Sequence, residues 1–152
     1  MTPPSKGFRL LRDAVLSLSL THEFVRPLYH WRTSRPHDYL DSPLNAADDD
    51  SALFTCGPAN GAPLQNVRLA EGNFLLDHLP PRFTLIVRDD ADAVAALPTM
   101  RLPRHAAERL GLSCRTAALL VRPDQHVCAR WMRITPQRLQ AALARATTTE
   151  TA

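Results

Sequence analysis

The sequence is poor in most of the residues from which familiar binding sites are built. Among its 18 basic residues only Lys6 is a lysine, and the arginines run along the whole chain, so a formal charge of +3 forms no cluster that would mark a nucleic-acid interface. Five glycines stand far apart, at positions 7, 57, 61, 72 and 111, which excludes both a dinucleotide fingerprint and a glycine-rich phosphate loop. Cys56, Cys114 and Cys128 form no CxxC pair, so adjacent ligands supply neither a zinc knuckle nor a dithiol redox centre. No apolar run approaches the roughly 18 residues of a membrane span. Arg12 and Asp13 interrupt the first apolar stretch where a signal peptide would need its core. The expectation is a reduced, cytoplasmic protein that binds neither nucleic acid nor membrane.

What the sequence does contain is one domain's worth of chain, 152 residues with 45% hydrophobic and 22% charged residues. Residues 8–20 place Phe8, Leu11, Ala14, Val15 and Leu18 at helical spacings, and Leu10, Leu16 and Leu20 widen the apolar arc. A helix that apolar needs neighbours on two sides, and residues 21–50 offer none with a clear period. Residues 23–44, with Phe24, Pro27, Tyr29, Trp31, Pro36, Tyr39 and Pro43, read as an extended Pro-rich arm, because prolines remove ladder donors. Asp48, Asp49 and Asp50 form an acidic loop, and residues 56–63 are dense in turn formers. The expected division is helix and linking arm over 1–45, loop over 46–62, a domain over 63–147 and a frayed tail over 148–152.

Within that domain the signals are firmer. Residues 66–69 suggest a short strand, 74–79 a helical turn, and 83–87 a continuous apolar run of the kind a covered central strand takes. Asp89, Asp90 and Asp92 precede a short helix through Val94 and Leu97, placed where its dipole favours carboxylates. A second parallel strand over 99–102, a helix over 105–110 closed by Gly111, and strands 117–121 and 126–132 around Arg122-Pro123-Asp124-Gln125 follow. In the last strand Val127, Ala129 and Trp131 are expected on one face, His126, Cys128 and Arg130 on the other. Thr135-Pro136 opens a final helix with Leu139, Ala142, Leu143 and Ala146 on its apolar face. The order strand, helix, strand, helix, strand, strand, helix predicts an α/β fold, a thioredoxin-like sandwich.

Candidate chemistry is sparse. A thioredoxin-like redox pair would follow the first central strand, where this chain has Asp89-Asp90-Ala91-Asp92, so disulfide exchange is not expected. Cys114 and Cys128 read as small buried apolar side chains. His22-Glu23 lacks the second histidine of a zincin, and His105 with Glu108 lacks a third ligand, so both pairs read as solvated surface. His126, Arg130 and Trp131 could line a pocket, but Trp131 in the core with His126 and Arg130 over the sheet's other face is the better account. His22, His30 and His37 with Arg26, Arg32 and Arg35 could bind an anion, or equally form a solvated or docking arm. No catalytic, cofactor-binding or metal-ligating residue is assigned.

One ordered set of segments has a family likeness. Gly7-Phe8-Arg9-Leu10-Leu11-Arg12-Asp13-Ala14-Val15-Leu16, Phe24-Val25-Arg26-Pro27-Leu28, Tyr39 with Asp41-Ser42-Pro43-Leu44, Gly57-Pro58, Gly61-Ala62-Pro63, Phe83-Thr84-Leu85, Leu120-Val121-Arg122-Pro123-Asp124, His126-Val127 and Ala129-Arg130-Trp131 resemble the C-terminal part of FAD-dependent aromatic hydroxylases. The group is that of 3-(3-hydroxyphenyl)propionate hydroxylase and phenol hydroxylase. The resemblance implies a parent enzyme in which an FAD-binding domain and a substrate domain precede a thioredoxin-like domain without redox cysteines, and in which NADH or NADPH reduces the flavin. It implies that residues 8–20 end the FAD-binding part, 23–44 link, and 63–147 form the closing domain, with a structural and dimerising role. The alternatives are a subunit of a split hydroxylase acting with a separate FAD-binding chain, and a free-standing protein-interaction module. Gln125 departs from the family's usual glycine after Pro-Asp, at a cost of about 1 kcal/mol if the left-handed backbone is kept.

Overall fold

The computed structural model describes residues 5–28, 37–92 and 97–147, and the chain divides into two compact units, Met1–Pro36 and His37–Ala152. In the first unit α1 spans Lys6–Thr21. Its start is fixed by Ser5, whose hydroxyl accepts from the Phe8 N–H at 3.3 Å, and its end by the His22 N–H on the Leu18 carbonyl at 2.8 Å. No residue of α1 is buried. The chain continues as a 3₁₀ helix, Glu23–Leu28, where an extended arm was expected. Proline excludes ladder pairing but not this turn, since a φ near −65° suits a 3₁₀ helix. The remainder of the expected arm up to Pro36 lies outside the described residues.

The second unit is an α/β structure on a four-stranded mixed sheet. Its strands are β3 (Thr84–Arg88), β4 (Thr99–Leu102), β5 (Ala118–Val121) and β6 (Val127–Trp131), and a separate two-stranded ribbon joins β1 (Arg68–Ala70) to β2 (Asn73–Phe74). The sheet order is β4-β3-β5-β6, with β3 parallel to β4 and antiparallel to β5, and β5 antiparallel to β6. All five β3 residues are buried, Thr84 and Arg88 along with the apolar Leu85, Ile86 and Val87, as befits a strand with neighbours on both sides. The helix expected through residues 93–96 lies outside the described residues.

Two apolar layers flank the sheet. Ile86, Leu119 and Val121 share one with Ala106, Ala107 and Leu110 from α2 (Arg104–Arg109) and its cap, while Leu85, Val87, Leu120 and Trp131 share the other with Leu139 and Ala142 of α3 (Pro136–Ala146). Thr135 caps α3, its hydroxyl accepting from the Arg138 N–H at 3.2 Å with Pro136 in the first turn, as the Thr-Pro pair predicts. In β6 the expected face sharing fails at Val127 and Cys128. Leu120 pairs with Ala129 but Val121 pairs with Val127, so Cys128 is the extra residue of a bulge. Val127 therefore joins the α2 layer, whereas Cys128, Ala129 and Trp131 join the α3 layer.

The contact boundary after Pro36 differs from the one the turn-rich stretch 56–63 suggests. Residues 37–64 cover the outer edge of β6. Gly61 donates to the Val127 carbonyl at 2.6 Å, Val127 to Ala62 at 2.9 Å, Leu64 to Gln125 at 2.8 Å and Ala46 to Cys128 at 2.8 Å. Gly57 and Gly111 face each other where this stretch crosses the end of α2. A Cβ on Gly57, at φ +90°, would meet the Leu110 carbonyl oxygen at 2.2 Å, and one on Gly111, at φ +83°, the Cys56 oxygen at 2.4 Å. A turn-rich composition here marks close docking, not a linker.

Candidate functional site

The end of the central strand is where the sequence argument places the chemistry of this topology, and arginines close it. Arg88, 8% exposed, donates from Nε and Nη2 to the two carboxylate oxygens of Asp90 at 2.6 Å each, and from Nη1 to the Ser113 carbonyl at 3.0 Å. Arg115 donates to the Asp90 carbonyl at 2.8 Å and to the Asp92 carboxylate at 3.2 Å. Arg101 reaches the carbonyls of Asp89 and Ala91 at 3.1 and 2.7 Å. The Arg88 hydrogen bond holds the Asp90 carboxyl below the usual carboxylate range, and the same bond raises the Arg88 guanidinium further above neutrality. This arrangement fixes a backbone turn. It presents no nucleophile.

The cysteines are not brought to that turn as a pair. Cys128 is fully buried and its thiol is pushed up to about 12 by burial, so it is an apolar filler at the bulge. Cys114 is half-buried and its Sγ donates to the Met132 carbonyl at 3.2 Å, whereas Cys56 is exposed, a departure from the usual burial of free thiols, with its Sγ on the Glu108 carbonyl at 3.3 Å. All three are free thiols.

The other sequence candidates separate along the structure. Trp131 is buried in the α3 layer, on the opposite face from Arg130. Arg130 instead pairs with Asp48 at 2.6 Å, donates to the Pro58 carbonyl at 3.3 Å and lies 4.6 Å from the centroid of the Phe54 ring. His126 sits between the Asp124 and His37 carbonyl oxygens, 3.0 Å from each, with the Tyr39 ring at 5.0 Å. These residues hold the 37–62 stretch against the sheet and do not line a common pocket. His105 is exposed, and Glu108 pairs with Arg104 at 2.7 Å. His22 is exposed beside Phe24, while His30, Arg32 and Arg35 lie outside the described residues, as does the side chain of Arg26. Among the described residues no group of three or more His, Cys, Asp or Glu side chains could hold a metal ion.

Sequence reasoning missed a second set of charges. Asp50 accepts from the Met132 N–H at 2.9 Å and from Arg138 at 3.0 and 3.1 Å, and the Arg138 hydrogen bond keeps its carboxyl below the usual range despite partial burial. The acidic loop was visible in the sequence. Its partners lie 82 to 88 residues away, and no local pattern announces them.

The remaining feature is α1. Phe8, Leu10, Leu11, Leu16, Leu18 and Leu20 are all exposed, Leu20 at 82%, and Phe24 beyond them is exposed at 78%. An apolar stripe of this size on one helix is unusual for a surface that meets only water. No helix among the described residues is long and apolar enough to cross a membrane.

No protein-family model matches the chain, and no curated protein matches it.

Proposed function

We propose that this chain is the C-terminal, non-catalytic, thioredoxin-like module of an FAD-dependent, NAD(P)H-using aromatic monooxygenase, with a structural role in covering the FAD-binding and substrate domains and in dimerisation. The observation that carries the reading is α1, apolar over most of its circumference and without one buried residue. Such a helix is stabilised in water chiefly by packing, and a domain that supplies the missing neighbours gives it that packing.

Two further features support it. The sheet order with its one parallel and two antiparallel pairings, a parallel strand pair followed by a hairpin and a closing helix, supports the thioredoxin-like reading. The turn after β3, where such a core would carry a dithiol, is instead locked by Arg88, Asp90 and Arg115.

Three of the turn glycines offer no cradle for the pyrophosphate of FAD. Gly57, Gly61 and Gly111 have positive φ, yet their open sides face the carbonyl oxygens of Leu110, Tyr39 and Cys56, groups that repel a phosphate. The flavin and the nicotinamide belong to the partner domains in this reading, and no residue of this chain is assigned to them.

Co-expression with the FAD-binding and substrate domains of a phenol-hydroxylase-type enzyme, deleted for its own C-terminal part, tests the proposal. Stoichiometric co-purification with recovery of NAD(P)H-dependent hydroxylation is expected. Failure to associate, or tight stoichiometric FAD binding by this chain alone, overturns it.

A further inference from the structure

His126 lies where residues 37–64 meet the turn between β5 and β6, bridged to Pro63. Its side chain is 15% exposed, with Nδ1 at 3.0 Å from the Asp124 carbonyl oxygen and Nε2 at 3.0 Å from the His37 carbonyl oxygen. Carbonyl oxygens only accept, so each ring nitrogen needs a proton to make its bond, and a neutral imidazole carries only one N–H. In either neutral tautomer one of these contacts sets a nitrogen lone pair against an oxygen lone pair. Only the imidazolium satisfies both.

The charged and titratable groups around the ring come from two segments. In the turn, Asp124 Oδ1 is 3.6 Å from Nδ1, and Arg122 pairs with the same carboxylate. Partial burial raises the Asp124 carboxyl while hydrogen bonds from Arg122 and the His126 N–H lower it, with a net fall, so it stays an anion where histidines titrate. From residues 37–39 come the Tyr39 ring at 5.0 Å and the exposed His37, whose own ring lies 5.1 Å from Tyr39, with the exposed Asp38 between them in the chain. Nδ1 therefore faces two oxygens of Asp124 and Nε2 only the His37 carbonyl, so a single remaining proton stays on Nδ1. The contact that fails on deprotonation is the one to His37. Its neighbours do not depend on the ring: Tyr39 donates to the Gly61 carbonyl at 2.8 Å, and the Asn45 amide to the Tyr39 and Leu40 carbonyls at 2.7 and 3.1 Å. The responsive part is thus His37 and Asp38, the first residues of the second unit.

We propose that His126 is a proton-operated latch: as an imidazolium it ties His37 to the β5–β6 turn, and as a neutral ring it keeps Asp124 and releases His37. The latch holds below the pH at which His126 gives up its proton and opens above it. Histidine suits this task because its charge changes over about pH 5 to 8, where the carboxylates and arginines around it stay charged.

The test uses the full chain, ¹⁵N-labelled, taken from about pH 5 to about pH 8.5. The His126 ring nitrogens are expected to report two N–H groups at the acid end and the Nδ1–H tautomer at the alkaline end, with the Asp38 amide shifting at the same midpoint. Hydrogen exchange of the Tyr39 amide, corrected for its intrinsic pH dependence, is expected to be about tenfold faster at the alkaline end. His37→Ala keeps the carbonyl and should leave the Asp38 response in place, whereas His126→Gln should abolish it. A His126 ring that does not change charge over this range, or one that ends as the Nε2–H tautomer, would overturn the proposal. So would an Asp38 response that survives His126→Gln and disappears in His37→Ala, because the His37 ring is then its source. The wild-type ring signals decide the matter even where His126→Gln fails to fold.

Discussion

Asp48→Asn replaces the anion that balances the Arg130 guanidinium. The Arg130 side chain is 10% exposed and Asp48 23%, and both Nε and Nη2 of the arginine converge on one carboxylate oxygen at 2.8 and 2.6 Å. In the variant the guanidinium keeps its desolvation cost and retains the Pro58 carbonyl and the Phe54 ring face, neither of which carries a charge. A fully buried pair broken from one side costs about 3 to 5 kcal/mol, and the partial exposure of Asp48 brings the expectation to about 2 to 3 kcal/mol. For a chain of this size that lowers Tm by about 5 to 10 °C. Arg130→Met removes the stranded charge and leaves the carboxylate of Asp48, the more exposed partner at 23%, so it should cost less, about 1 to 2 kcal/mol. Urea unfolding gives both values, and hydrogen exchange locates them. The amides of Ala46 and Gly61, which bond to Cys128 and Val127, should lose protection before those of β3. A loss under 0.5 kcal/mol for Asp48→Asn, or a larger loss for Arg130→Met, would refute the claim that this ion pair fastens the 37–62 stretch to the sheet.

Further outcomes follow from single residues. Gln125 has φ 65°, so Gln125→Gly relieves a left-handed strain of about 1 kcal/mol and gives part of it back as unfolded-chain entropy; a net gain of about 0.5 kcal/mol in urea unfolding is expected. Asp50 and Asp90 titrate below their unfolded values, so the stability they contribute is present above an unfolded carboxylate pKa of about 3.9 and is lost as pH falls through the folded values. Unfolding midpoints should drop on acidification from about pH 5, and Asp50→Asn should flatten that decline. Native protein at pH 8 should lose the exposed Cys56 to a thiol reagent while Cys128, with its thiol at about 12, reacts only on unfolding. Modification of native Cys128 at the Cys56 rate would contradict its burial.

Local pattern made much of this architecture legible. The uninterrupted apolar run gave β3, the Thr135-Pro136 cap gave the start of α3, and the Pro-Asp turn with Gln125 gave the hairpin and its left-handed residue. The bulge at Cys128 was not legible, because an extra residue leaves the side-chain pattern intact and shows only in the pairing with β5. The docking of 37–62 onto the sheet is not legible for a related reason. Proline, glycine and aspartate mark irregular chain, but whether such chain hangs free or docks depends on partners such as Arg130 and Arg138, more than 80 residues away. The absence of a dithiol after β3 could be read directly; that Arg88 would turn inward onto Asp90 could not, because alternation along a covered strand gives no place to a charged residue.

The proposed function has α1 packing against the FAD-binding and substrate domains of a flavin hydroxylase. Hydrogen exchange of the α1 amides in the full chain, measured alone and with the FAD-binding and substrate domains of a phenol-hydroxylase-type enzyme supplied in trans, tests it most directly. Amides of residues 11–18 are expected to exchange far faster than those of β3 in the chain alone and to become protected on addition of the partner domains. Protection of α1 equal to that of β3 in the isolated monomer, or no change when the partner is added, would contradict it.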